Sequence, residues 1–217
     1  MPLLEPEVLR CVERLEREGA DHDAGEPERR LKRLNLERPA AELVHLLLRA
    51  TRRRRVLEIG TSNGLSTIWI QAALRATGGA LTSVDREDAK LQEARQNLRA
   101  CGLLEGATLL LGDATEIVRG LAGPFDAVFF DADRVSAPAQ LELLLPRLEP
   151  DALLLSDNVL SHPAEVAAYL AACERLPGFA STVVPVGKGL HVAHRRSEGH
   201  GAGSLRAAPR PPSPGSA

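Results

Sequence analysis

Two apolar runs in this chain end abruptly in acids. "FDAVFFDADR" places Asp131 and Asp133 directly behind Phe129 and Phe130, and "LLLSDNV" places Asp157 and Asn158 behind a run of leucines. A buried strand has no use for a carboxylate unless it reaches solvent, a partner or a cation. Neighbouring strands lie about 4.8 Å apart, so acids at the ends of two of them can share one ion. The donors are hard oxygens with no cysteine or histidine among them, a set that suits Mg2+, or another hard divalent cation such as Ca2+ or Mn2+, rather than zinc. The competing reading is that Asp157 and Asn158 only cap the next helix. An ion accounts for both acid-ended strands together.

Three earlier strand ends also carry polar groups. In "EIGTSNGLS", Gly60 and Gly64 permit a tight strand-to-helix turn with outward-facing amides, and Ser66 adds a hydroxyl near the helix start. The spacing is G-x-x-x-G, not the G-x-G-x-x-G of a pyrophosphate cradle, which disfavours a dinucleotide. Asp85 ends "ALTSVD", where a carboxylate can take both hydroxyls of a ribose. Asp113 ends "LLLGD", where it can accept from an adenine amine. Singly, each acid is more often a helix cap than a ligand. Three such features at the ends of three successive strands favour a ligand.

The elements that must position these residues follow from periodicity. Pro6 to Gly19 reads as an amphipathic helix, with Val8, Cys11, Val12 and Leu15 on one face and Gly19 as its stop. "ADHDAGEPERR" then reads as a charged surface connection, and "AAELVHLLLRAT" as a second helix in which His45 is a packed residue. From Arg55 short apolar runs alternate with helical ones, the pattern of parallel βαβ units. Strands are expected at "RVLEIG", "ALTSVD", "ATLLLGD", "FDAVFFD" and "DALLLSD", with helices beginning near Gly64, Glu87, Ala114 and Val135, and a last helix over Pro163 to Arg175. "FASTVVPV", "GKG" and "LHVAHRR" read as a closing hairpin that contributes an antiparallel strand. The arginine run Arg52 to Arg55 lies between a helix end and a strand start and reads as a solvated junction. The expected organisation is an N-terminal helical extension over 1–35, one α/β domain over 36–196, and a disordered tail over 197–217 whose Gly, Pro, Ser and Ala cannot bury enough apolar surface to fold.

Composition narrows the function classes. The chain has 217 residues, 44% of them hydrophobic, enough for one sizeable core. Its formal charge of −2 and pI of about 6.3 give no global field for nucleic acid or an anionic membrane. A small solute is the expected partner. Cys11, Cys101 and Cys173 are odd in number and widely spaced, which argues against a disulfide framework and fits the cytoplasm. No stretch approaches the roughly 20 apolar residues needed to span a bilayer.

With those residues in hand, the sequence resembles the cation-dependent class I O-methyltransferases, the group containing catechol and caffeoyl-CoA O-methyltransferases and small bacterial relatives. The resemblance runs from Leu34 to Arg195 and rests on "VLEIGTSNGLST", "SVDRED", "LLLGDA", "FDAVFFDADR", "LLLSDNV" and "VPVGKGLHVA". It implies a Rossmann-like, doubly wound, mostly parallel seven-stranded sheet with an antiparallel C-terminal strand. It also implies S-adenosylmethionine, with Gly60 and Ser66 near the methionine part, Glu58 supporting that loop, Asp85 on the ribose, and Asp113 and Ala114 by the adenine. Asp131 would face both cofactor and metal, and Asp131, Asp157 and Asn158 would be the metal ligands. The remaining metal positions would go to water and to adjacent oxygens of a small hydroxyl substrate, an aromatic diol. A homodimer is implied as well.

One departure from the family pattern concerns the chemistry. Where relatives usually have "DADK", whose lysine is assigned as general base, this chain has Arg134. A guanidinium cannot accept the proton. Arg134 is therefore expected to stabilise a phenolate, leaving the proton to the metal, to water or to Asp133, with His162 a further candidate base or a helix-start residue. The alternatives are a metal-independent methyltransferase of the same fold and a cofactor-binding protein without turnover.

Overall fold

From Arg55 onward helices and strands alternate, and in the computed structural model, which describes residues 2–196, their order is α1 (Pro6–Gly25), α2 (Arg38–Ala50), β1 (Arg55–Ile59), α3 (Leu65–Thr77), β2 (Ala80–Asp85), α4 (Asp88–Ala100), β3 (Ala107–Leu111), α5 (Ala114–Gly120), β4 (Phe125–Phe130), α6 (Ala137–Leu144), β5 (Leu148–Ser156), α7 (Pro163–Glu174), β6 (Phe179–Val184) and β7 (Leu190–Arg195). The seven strands form one sheet in the order β3-β2-β1-β4-β5-β7-β6. β1 through β5 run parallel, and β7 is antiparallel to both β5 and β6. The expected mostly parallel sheet with an antiparallel final strand is therefore present, and that final strand lies inside the sheet, not at its edge.

Residues 56–59 of β1 and 127–130 of β4 are all buried, as central strands covered on both faces must be. One layer of core joins Val8, Val12 and Leu15 of α1 to Val44 and Leu48 of α2 and to Trp69 of α3. The other packs Val118, Leu141, Leu144 and Tyr169 of α5, α6 and α7 against Ile59, Val128, Phe130 and Leu154. Helix α1 thus shares a core layer with α2 and α3. His45 is buried as expected, its Nδ1 3.0 Å from the Trp69 carbonyl and its ring edge-on to the indole.

Three local expectations are corrected. Helix α1 does not stop at Gly19 but continues to Gly25 through part of the expected surface connection. Gly19 is buried there because the Asn35 amide sits over it: a Cβ would meet Asn35 Nδ2 at 2.2 Å, and that amide donates to the Leu15 carbonyl at 3.0 Å. The second correction follows from the first, since Asp23 in the added turn accepts the backbone N–H groups of Arg33 (2.7 Å) and Leu34 (2.9 Å) and so folds the following segment back. The arginine run is not wholly solvated either. Arg53 is buried, donating to the Asp151 carbonyl at 2.8 Å and pairing with its carboxylate at 3.1 Å, while Asp126 accepts the backbone N–H groups of Arg54 and Arg55 at 2.6 and 2.9 Å. These contacts tie the amino-terminal edge of the sheet, opposite the strand ends that carry the candidate ligands. Among the described residues no helix is long and apolar enough to cross a membrane. The expected tail over 197–217 lies outside the described residues.

Candidate active site

In an open α/β sheet the crevice forms beyond the carboxyl ends of the strands where their order reverses, here between β1 and β4. The chain leaves each strand in register. Gly60 N–H donates to the Val84 carbonyl (2.9 Å), Asp131 N–H to Ile59 (2.9 Å) and Gly112 N–H to Asp85 (2.9 Å). The loops holding the predicted residues thus start from one hydrogen-bonded rim.

Glu58, one residue inside that rim, is wholly buried. Its carboxyl accepts from Ser66 Oγ (2.7 Å), Thr67 Oγ1 (2.7 Å) and Ser83 Oγ (2.6 Å), tying β1 to β2 and to the first turn of α3. Burial pushes it up to about 7, against the lowering effect of those hydroxyls. Glu58 supports the turn and has no surface to offer a ligand. The Ser66 hydroxyl likewise turns inward, to Glu58. Gly60 has φ +109°, and a Cβ on it would lie 2.6 Å from the Asp131 carbonyl oxygen. That close approach brings the loops after β1 and β4 together as only glycine allows.

Asp85 accepts from Ser62 N–H (2.8 Å) through one oxygen and from Glu87 N–H (3.0 Å) through the other. The carboxylate is thereby fixed between two loops, with lone pairs left for a diol. Asp113 is the cap of α5, its Oδ1 accepting from Thr115 N–H (2.9 Å) and Glu116 N–H (3.1 Å). Its Oδ2 makes no hydrogen bond among the described residues, and Ala114 opens the helix behind it.

Asp131 and Asp157 follow Phe130 and Ser156, which pair across β4 and β5, so the two acids leave the sheet side by side. Asp157 is 4% exposed, and its buried Oδ1 has no hydrogen-bond partner. Burial pushes Asp157 up to about 6. Asp131 is held well above the usual carboxylate range by burial first and then by the charges of Asp157 and Glu58. Asn158, in the left-handed region at φ +68°, turns its side chain back so that Nδ2 lies 3.2 Å from Asp131 Oδ1. Two crowded acids, an orphaned carboxylate oxygen and a side-chain amide whose oxygen and nitrogen can exchange places fit a hard divalent cation. Among the described residues no group of three or more His, Cys, Asp or Glu has the arrangement of a metal site, so the candidate set is these two carboxylates and one amide. Asp131, Arg134, Asp157 and Tyr169 also line a small cavity of about 10 Å3.

The three candidate catalytic residues lie on the loops after β4 and β5, with His162 at a helix start, one of its two expected places. Asp133 spends both carboxylate oxygens on its own turn, accepting from Val135 N–H (3.1 Å) and Ser136 Oγ (2.6 Å). Arg134 reaches across to Glu165 in the first turn of α7 at 2.9 Å. His162 stands at the N-cap of α7 with Nδ1 2.9 Å from Ser161 Oγ, and lines neither the small cavity nor the larger cleft nearby. That cleft, about 470 Å3, opens among Glu16, Asp23, Leu34, Glu37, Arg38 and Lys188. Glu165, Glu37 and Lys188 were not among the expected site residues. Only Lys188 had a local signal: a charged residue between two glycines at the carboxyl end of a strand.

Residues 57–159 match the family described as "Methyltransferase domain". A solved structure of cofactor-bound Rv0187 from MTB aligns over 89% of this chain and 91% of its own, with TM-score 0.74 and 27% identity. Fold and strand-end loops together define a class I methyltransferase. The sequence is 33% identical over 131 residues to a catechol O-methyltransferase of Mycobacterium tuberculosis (strain ATCC 25618 / H37Rv), covering 60% of this chain and 59% of that protein, so the match spans little more than half of that relative. A candidate O-methyltransferase of Mycobacterium sp. (strain JLS) is 30% identical over 170 residues, 70% of this chain and 76% of that protein. The chain belongs to the class I S-adenosylmethionine-dependent O-methyltransferase family.

Proposed function

We propose that this protein transfers the methyl group of S-adenosylmethionine to a hydroxyl of a small aromatic diol, with a divalent cation held by Asp131, Asp157 and Asn158. The observation that carries the metal reading is the orphaned, buried Oδ1 of Asp157 beside a second acid. Bound there, the cofactor would supply an electrophilic methyl, and the cation would supply Lewis acidity that lowers the pKa of the attacking hydroxyl, which for a free phenol is about 10.

The chain's own residues do the positioning. The Gly60 turn and Asp85 hold the cofactor at the switch point, and Asp113 offers Oδ2 toward its base. Asp131 stands where the two loops touch, bridging the cofactor side of the crevice and the acceptor side. Arg134, anchored by Glu165, places a fixed positive charge beside the acids and favours the ionised acceptor. It cannot take the proton. With Asp133 engaged in its own turn, the proton leaves to solvent water. Transfer itself is a displacement at carbon in which the oxygen aligns behind the sulfonium methyl, so rate depends chiefly on this positioning. The family resemblance adds a homodimer, which light scattering on the purified chain tests.

The test is transfer of labelled methyl from S-adenosylmethionine to a panel of catechols, with Mg2+ or with excess EDTA. Turnover abolished by EDTA supports the reading. Turnover indifferent to EDTA assigns a metal-independent methyltransferase, and cofactor binding without turnover on any diol assigns a binding protein.

A further inference from the structure

The turn between β6 and β7 carries a cation near the acids that the reading above does not use. Lys188 is flanked by Gly187 and Gly189, and both glycines are sites of close approach. A Cβ on Gly189 would meet Leu160 Cγ at 2.5 Å, and one on Gly187 would meet Glu37 Oε2 at 3.0 Å. The turn is therefore wedged between the loop that follows Asp157 and Asn158 and the start of α2. Backbone bonds fix it there: the Lys188 carbonyl accepts from Leu160 N–H (2.9 Å) and Ser161 N–H (3.2 Å), and the Gly189 carbonyl accepts from Val159 N–H (3.1 Å).

Lys188 is among the residues lining the 470 Å3 cleft. It forms an ion pair with Glu37 at an Nζ–Oε1 distance of 3.7 Å, too long for a hydrogen bond. Arg38 and Arg134, the neighbouring cations, are each bonded to a carboxylate, that of Glu16 and that of Glu165. Lys188 thus retains donors for an incoming anion. It is also close enough to lower both Asp131 and Asp157 electrostatically, and at Asp157 its effect exceeds that of Arg134.

We propose that Lys188 is an acceptor-binding residue whose ammonium holds an oxyanion of the acceptor at the wall of this cleft. The inference rests on the methyltransferase reading above and extends it to the acceptor's recognition. The oxyanion has two possible sources, the ionised ring hydroxyl or a carboxylate substituent on the ring, and Lys188 suits either as a compact charge with three donors.

The experiment measures equilibrium binding to the intact protein with S-adenosylhomocysteine and Mg2+ present, using two probes. 4-Nitrocatechol carries only phenolic oxygens and reports by its absorbance. 3,4-Dihydroxybenzoate adds a carboxylate and is read by competition against it. Lys188→Met is expected to weaken binding about tenfold or more, as loss of a charge-assisted hydrogen bond does, and Lys188→Arg to restore most of it. Loss with both probes assigns the ring oxygen, and loss with 3,4-dihydroxybenzoate alone assigns the carboxylate; either supports the proposal. Unchanged binding of both probes to Lys188→Met, with the wild type binding normally, overturns it. If the wild type binds neither probe, the aromatic-diol reading itself falls and takes this inference with it. Lys188 lies in a solvent-facing turn, and an unaltered thermal transition in both variants shows that the affinity change is local.

Discussion

Arg134 Nη1 donates to Glu165 Oε2 at 2.9 Å, stapling the loop after β4 to the first turn of α7. The guanidinium is thereby held against the acids while its side chain stays mostly covered. If its role is to stabilise an anionic acceptor, Arg134→Met lowers the rate of methyl transfer by roughly tenfold or more, and Arg134→Lys keeps most of it. Affinity for S-adenosylhomocysteine, measured by calorimetry, is expected to stay the same in both variants. A rate unaffected by Arg134→Met removes the residue from the chemistry.

Gly60→Ala is expected to destabilise the protein by about 2–4 kcal/mol, because the added Cβ combines a left-handed backbone with a collision at the Asp131 carbonyl. Urea denaturation reads the loss. Cofactor affinity falls with it, since the same turn faces the crevice.

Asp85→Asn replaces a carboxylate that accepts from two backbone amides by a group with one acceptor oxygen. Affinity for S-adenosylhomocysteine is expected to fall at least roughly tenfold, with circular dichroism unchanged. Retention of full affinity would remove Asp85 from the ribose site.

Glu58 gives a pH signature. Its carboxyl rises from 4.5 to about 7 on folding, so between those values the native state holds a proton that the unfolded chain has released. Stability of the protein therefore falls as pH rises through that window, by at most about 3 kcal/mol from this group. Glu58→Gln is neutral throughout and flattens that part of the profile. Denaturation at about pH 5 and about pH 8 in both proteins checks the sign.

Metal removal has a readout that does not depend on turnover. Mg2+ or Ca2+ added to the chelated protein is expected to raise the melting temperature, because a ligand that binds only the native state stabilises it by mass action. Asp157→Ala abolishes the shift. A melting temperature indifferent to both cations in the wild type argues for the metal-independent reading.

Much of the site was legible because its signals are local. Apolar runs interrupted by acids mark strand ends whatever their neighbours, and so Asp85, Asp113, Asp131 and Asp157 were placed correctly on the rim. What the pattern did not carry was where a polar side chain spends its bonds. Ser66 turns to a buried Glu58, Asp133 to its own turn, and Arg134 to a helix 31 positions further on. Gly19 shows the same limit in the fold: it reads as a helix stop, but Asn35, brought over by the returning chain, occupies the space where a side chain would be. Propensity is a weak prior against such a contact. Lys188 and Glu37 meet only because the sheet brings a late hairpin beside the start of α2.

Strand β7 follows both of its neighbours in the chain but lies between them. On a ribosome adding about 5–20 residues per second, β6 emerges with no partner, and β5 keeps an open edge until Leu190 to Arg195 arrive. The loops after β1, β2 and β3 exist before that moment; the seated Lys188 turn and the covered edge of β5 do not. A nascent chain halted there carries one half of its crevice and an unpaired edge available to other strands. The last strand to be synthesised among the described residues thus covers the open edge of β5, gives β6 its partner and leaves β6 as the edge of the finished sheet.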